Sequence, residues 1–149
     1  MILAHAVVGV TLGNYFGHFG YYLAGSLIPD VDHLFVLGSQ KIFSFKGISN
    51  ALRFEKDYGL NFKTKYVHSL LGAVVLSAPV FLFDMQSGLA FFASYIIHLL
   101  MDWPDIDDKY YLYPLKKKFS GFLPIFSMTE IIFTVIMLLV MLASFKNIV

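Results

Sequence analysis

From Met128 to Phe145 the chain runs eighteen residues with a single charged side chain, Glu130. As a helix rising 1.5 Å per residue, such a run reaches about 27 Å, close to the roughly 30 Å hydrocarbon core of a bilayer. Ser127 and Glu130 form an S-x-x-E pattern at its start, where the serine oxygen and the glutamate side chain can serve orphan backbone N–H groups. A segment like this restricts the fold, because in lipid the backbone must satisfy its own hydrogen bonds. The remainder agrees. Hydrophobic residues make up 58% of the 149 and charged residues 14%, against about 45–50% and about 25% in soluble domains. The sequence therefore predicts an all-α, compact helical integral membrane bundle, formed by one domain over residues 1–149.

The formal net charge is +1, so no bulk charge points to nucleic acid. Cysteine is absent, which excludes disulfides and thiolate ligands and leaves the redox compartment open. The start, MILAHAVVGVTLG, is apolar but has neither a basic n-region nor a clear small-residue cleavage site, and reads as mature structure.

Apolar stretches alternate with two polar loops. The first stretch, Ile2 to Ile28, is interrupted by Gly13, Asn14, Gly17, His18 and Gly20. The first polar loop, about Gly38 to Lys65, holds Lys41, Lys46, Arg53, Lys56, Lys63 and Lys65. Tyr66–Phe83 and Ser87–Trp103 are apolar, marginal in length for spans, and separated by a turn near Asp84. The second polar loop, Asp102 to Phe119, contains Lys116, Lys117 and Lys118. Both lysine-rich loops are expected on the cytoplasmic side, with the Asp84 turn and Lys146 outside.

That topology brings ionisable residues together. Asp30, Asp32 and His33 enter the first loop, His68 leaves it, and His98 and Asp102 enter the second. His98 and Asp102 are four apart, on one helix face. His5 tests the arrangement. On one straight helix it would lie about 37 Å from Asp30. Three glycines and an asparagine between residues 13 and 20 favour a break, so a short or re-entrant helical hairpin is expected to return His5 to the Asp30 end. Imidazole and carboxylate together suit a divalent metal, zinc foremost and manganese second. Each residue also has a plain structural reading: Asp30 as a turn or cap residue, His68-Ser69 as a helix start, His18 as a packing histidine, Glu130 as a cap, and Asp105, Asp107 and Asp108 as a solvated acidic loop or a source of another ligand.

The ordered set Ala24-Gly25-Ser26-Leu27-Ile28-Pro29-Asp30-Val31-Asp32-His33, His68-Ser69-Leu70-Leu71 and His98-Leu99-Leu100-Met101-Asp102 resembles the YdjM-like family of membrane-bound metal-dependent hydrolases. In its His/Asp pattern that family is similar to the helical zinc phospholipase C and P1 nuclease group. The resemblance implies a phosphoester hydrolase in a bacterial or archaeal cytoplasmic membrane. It implies His5, His68, His98 and Asp102 as metal ligands. Asp30, Asp32 and His33 would be further ligands, or in the case of Asp30 the base that activates water. Two departures stand out. Tyr66-Val67 precedes His68 where the family has threonine, and no histidine follows Asp102 closely. One or two metals are expected, with Asp105 or Asp107 substituting for a missing ligand.

Three functions follow as expectations. The first is a hydrolase acting on a lipid or other membrane-associated phosphoester, with membrane lipid as its partner and no nucleic acid. The second is a non-enzymatic membrane protein stapled by a structural metal or an Asp/His cluster. The third is a small transporter subunit, which would need polar residues through the bilayer depth; the middles of Leu70–Phe83 and Met128–Phe145 lack them.

Overall fold

The computed structural model describes residues 2–44, 46–48, 50, 63–123 and 127–146. Arg53 and Lys56, counted above in the first polar loop, lie outside the described residues. Among the described residues, six helices of nine residues or more build the molecule, and strand pairing is limited to isolated bridges at Asp105–Leu123 and Lys109–Phe119.

The first apolar stretch is a helical hairpin. Helix α1 spans Ile2–Phe16 and α2 spans Phe19–Leu27. The break falls at Gly17 and His18, whose φ angles are +78° and +53°. Both are left-handed, a conformation open to glycine and unusual for histidine. His18 is anchored there by a 3.1 Å hydrogen bond between Nδ1 and Ser87 Oγ. Gly13 sits within α1 and acts by size: a Cβ there would lie 2.7 Å from Phe19 Cα. Gly9 likewise has Ser26 Oγ where its Cβ would be, so α1 and α2 pack closely. A 3-10 turn, Ile28–Asp30, leads into α3, Val31–Ser39.

Helix α4, Leu70–Phe83, starts at Ser69, whose hydroxyl accepts from the Gly72 N–H. Helix α5, Met85–Met101, starts at Asp84, whose carboxylate accepts from the Ser87 N–H. These are N-caps in the usual sense, so Asp84 both ends one helix and starts the next. The core lies where α2, α4 and α5 meet: Ala73, Phe91, Tyr95 and Leu99 are buried together. Ser94 Oγ donates to the Tyr22 carbonyl, and Tyr95 Oη donates to that of Val67. These bonds fix α5 against α2 and against the segment before α4.

Helix α6, Met128–Lys146, begins at Ser127, whose hydroxyl accepts from the Glu130 N–H. It is the one described helix long and apolar enough to cross a membrane, and none of its Met128–Phe145 window is buried within the protein. A soluble protein would cover such a helix; here its Ile131, Ile132, Val135, Ile136, Leu139 and Leu142 face outward, as lipid contact requires. Helices α1, α4 and α5 are apolar but shorter, 14 to 17 residues. α1, α4 and α6 run away from one end of the bundle, while α2 and α5 return to it.

Candidate metal centre

That end gathers the histidines and aspartates. His5 comes from the first turn of α1, Asp30 from the 3-10 turn, Asp32 and His33 from α3, His68 from the residue before the α4 cap, and His98 and Asp102 from the end of α5. His5, His68, His98 and Asp102 are 0–1% exposed, Asp32 2% and Asp30 8%. All seven residues expected from the sequence meet here. His18 stays at the opposite end with Ser87.

Each buried imidazole has one nitrogen committed to a protein acceptor. His5 Nδ1 lies 3.0 Å from Asp30 Oδ2, His68 Nδ1 2.9 Å from Asp32 Oδ2, and His98 Nδ1 2.7 Å from the Ser26 carbonyl. A carbonyl only accepts, so His98 carries its proton on Nδ1 and presents a lone pair at Nε2. On His5 and His68 the shorter, aligned carboxylate contact is also the one at Nδ1, which favours the same tautomer. The three Nε2 atoms turn inward to Asp102: His5 at 3.3 Å from Oδ1, His68 and His98 at 3.3 and 3.4 Å from Oδ2. None of these Nε2 atoms, nor Asp102 Oδ2, has an aligned hydrogen-bond partner, and all are buried.

Lone pairs therefore face lone pairs. A cation between them would satisfy such buried acceptors. Extra protons are a poor answer, because the rings of His5 and His98 are 3.8 Å apart and those of His68 and His98 5.5 Å apart, and adjacent imidazoliums repel. A divalent ion held among them would meet several of these orphan atoms at once. Nδ1 bound to carboxylate or carbonyl with Nε2 free is also the arrangement found behind metal-bound histidines. His5, His98 and Asp102 offer ligand atoms within 4.8 Å of one another, as do Asp30, His68 and His98. The donor atoms thus suit a divalent metal in two overlapping triads that share His98; His5, His68, His98 and Asp102 are the principal candidate ligands, with Asp30 Oδ1, 3.8 Å from His98 Nε2, at their edge.

Charge agrees. Among the described residues, five carboxylates are buried (Asp30, Asp32, Asp102, Asp105 and Asp107) against two ammonium groups, Lys63 and Lys109. Burial raises the Asp32 carboxyl, but hydrogen bonds from His33, His68 and the Thr64 backbone outweigh it and hold the group well below the usual carboxylate range. It stays charged as the partner of His68. His33 Nδ1 is 3.1 Å from both Asp32 Oδ1 and the Asp30 carbonyl, and its side chain is 12% exposed.

Lys63 and the Ser26 carbonyl are parts of the centre that residue patterns did not single out. The Lys63 ammonium is 3.1 Å from Asp102 Oδ2, 2.7 Å from Asp105 Oδ2 and 3.4 Å from Asp107 Oδ2. As one of the cationic-loop lysines it was expected to mark the cytoplasmic side, yet it is buried. So is Lys109 of the second loop, which donates to the carbonyls of Asp105 and Asp107. Lys65, Lys117 and Lys118 remain on the outside of this end, against Tyr66 and Tyr113, Phe119, and Tyr110 respectively.

A family model described as YdjM inner membrane protein matches residues 1–148. The chain belongs to that family. No curated protein and no solved structure matches it. Membership of the YdjM family puts this helical bundle in an inner membrane, in accord with the uncovered apolar surface of α6.

Proposed function

We propose that the chain is a membrane-bound metal-dependent hydrolase acting on a phosphoester of a lipid or lipid-like substrate at the cytoplasmic face. The observation that carries this reading is the convergence of three unpartnered Nε2 atoms and one carboxylate beside a further carboxylate, Asp30, on the less buried side.

A divalent ion, zinc or manganese, would supply positive charge that acidifies a nearby water and stabilises negative charge on a substrate oxygen. The chain's own residues do the rest. Asp30 holds His5 through Oδ2 and has Oδ1 directed between His33 and His98, where it can take a proton from attacking water. Asp32 fixes His68. Exposure rises from 0–1% at the histidine ligands to 8% at Asp30 and 12% at the His33 side chain, so water and substrate approach from that side.

Two further features favour a lipid. A largely apolar groove of about 350 Å³ lies between α5 and α6, with Leu100, Met101, Leu123 and Phe133 in its wall and Thr129 and Glu130 as its polar members. Four of its lining residues, Ile97, Leu100, Met101 and Pro104, flank Asp102 in sequence, and the groove leaves room for an acyl chain. The lysines and tyrosines around the same end suit an anionic headgroup at an interface. The positive-inside bias of these lysines is the basis for assigning this end to the cytoplasm.

The burial of all four principal ligands favours a second reading, a structural metal that staples helix ends. Detergent-purified protein with its metal measured, assayed on bis-p-nitrophenyl phosphate and on phosphatidic acid vesicles, separates the two. The hydrolase reading expects turnover that Asp30→Asn abolishes even when the variant is saturated with metal. Metal with no turnover on either substrate supports the staple.

A further inference from the structure

Asp102 has two faces. On one, its oxygens meet the three histidine Nε2 atoms. On the other, Oδ2 joins Asp105 Oδ2 and Asp107 Oδ2 around the Lys63 ammonium, at 3.1, 2.7 and 3.4 Å. Three carboxylates converging on one point form an all-oxygen donor set of the kind that binds manganese, magnesium or calcium. Here that point is filled by a side chain 4% exposed. The Asp102 Oδ2 atom is buried and lacks an aligned hydrogen bond, although the ammonium stands at ion-pair distance. On the Lys63 face it is therefore held by charge and not by a directed bond.

We propose that Lys63 occupies a second cation position of the centre, so that the protein holds a single metal ion and a fixed ammonium with Asp102 shared between them. The inference rests on the metal reading above only for the histidine face.

The surrounding structure supports the role. Lys109, fully buried, donates to the carbonyls of Asp105 and Asp107 and so sets the loop in which their carboxylates turn to Lys63. The loop is closed behind them: the Gly121 N–H donates to the Asp105 carbonyl, and a Cβ on Gly121 would lie 2.1 Å from the Pro104 carbonyl oxygen. Lys63 is 4% exposed and pairs with all three carboxylates at 3.4 Å or less, so its Nζ sits at the point on which they converge. A lysine here differs from a second metal in two ways. It cannot exchange with solvent, and it brings one positive charge where a metal brings two. The centre therefore needs only one ion to be complete.

The test is metal stoichiometry by mass spectrometry on detergent-purified protein dialysed against manganese. Wild type is expected to hold about one ion per chain, Lys63→Ala about two, and Lys63→Ala with Asp105→Asn and Asp107→Asn about one again, following the loss of oxygen donors. Lys63→Met, which fills the space without charge, should gain no second ion. Two ions in wild type, or no added ion in folded Lys63→Ala, overturns the proposal. Should Lys63→Ala fold poorly, manganese is expected to restore its melting temperature, and absence of that rescue also overturns it. No ion in wild type but one in Lys63→Ala would refute the histidine metal site and leave the Lys63 position standing.

Discussion

His68 Nε2 and Asp102 Oδ2 stand 3.3 Å apart, two buried acceptors with no aligned hydrogen-bond donor for either. His68 is locked in this pose because its other nitrogen bonds Asp32. The two residues make different contributions to a metal site, and mutation should separate them. His68→Ala and Asp102→Ala each remove a ligand atom and are expected to abolish tight binding. Asp32→Asn keeps every ligand and should weaken affinity by about 10–100-fold, the usual effect of losing an orienting partner. Competition against a chelator in detergent measures both. Unchanged affinity in Asp32→Asn would show that Asp32 does not orient His68.

Gly25 and Gly20 offer a matched pair on one helix. A Cβ at Gly25 would lie 2.3 Å from the Phe91 carbonyl oxygen, whereas at Gly20 it would meet nothing within 4 Å. Gly25→Ala should force α2 away from α5 and cost about 1–3 kcal/mol, as overpacking does. It should also weaken metal binding, because the neighbouring Ser26 carbonyl holds His98. Gly20→Ala should be neutral or stabilise by up to about 1 kcal/mol through helix propensity. Thermal melts of the two variants decide it; equal stability would mean that the α2–α5 crossing is not tight.

Lys109 gives a signed pH effect. Burial and the nearby Lys63 charge push it down to about 8 from an ordinary 10.5, against the pull of Asp105, Asp107 and Asp102. Between those values the unfolded chain keeps a proton that the folded chain has released. By linkage, this group makes the fold more stable as pH rises from about 8 towards 10.5. Lys109→Met should lack that component in melts across the same window. Parallel pH profiles for the two proteins would exclude it.

Sidedness can be read directly, since the chain has no cysteine to confuse labelling. Lys117→Cys lies at the end of the bundle that carries the centre, and Met85→Cys at the α4–α5 turn on the opposite end; both positions are exposed. A membrane-impermeant maleimide applied outside intact cells should modify residue 85 and spare residue 117. The reverse pattern would place the centre on the outer side.

The gathering of histidines and aspartates at one end was readable in the sequence because they are rare residue types at the ends of apolar runs. Ionisable groups there are costly, and they lay at one end once the runs were folded back. The hairpin was readable from its glycines, although only Gly17 among them takes a positive φ; Gly13 and Gly9 serve close packing inside α1. Ser26 stayed hidden because its contribution is a carbonyl, which every residue possesses. Lys63 stayed hidden because nothing local separates it from Lys65, two positions on and exposed; only the fold of the Asp105–Asp107 loop tells them apart. Asp105 and Asp107, open between solvated acids and ligands, turned out to be buried partners of Lys63.

Helix α6 contributes no residue to the centre, while the last of the principal ligands, Asp102, comes a full 97 positions after the first, His5. During synthesis, then, the ion-binding constellation cannot close until α5 has doubled back, and it can close before the span at Met128–Phe145 has left the ribosome. On the proposed metal reading, ion capture would then be a checkpoint on the first five helices, leaving insertion of the anchor as a separate and later event.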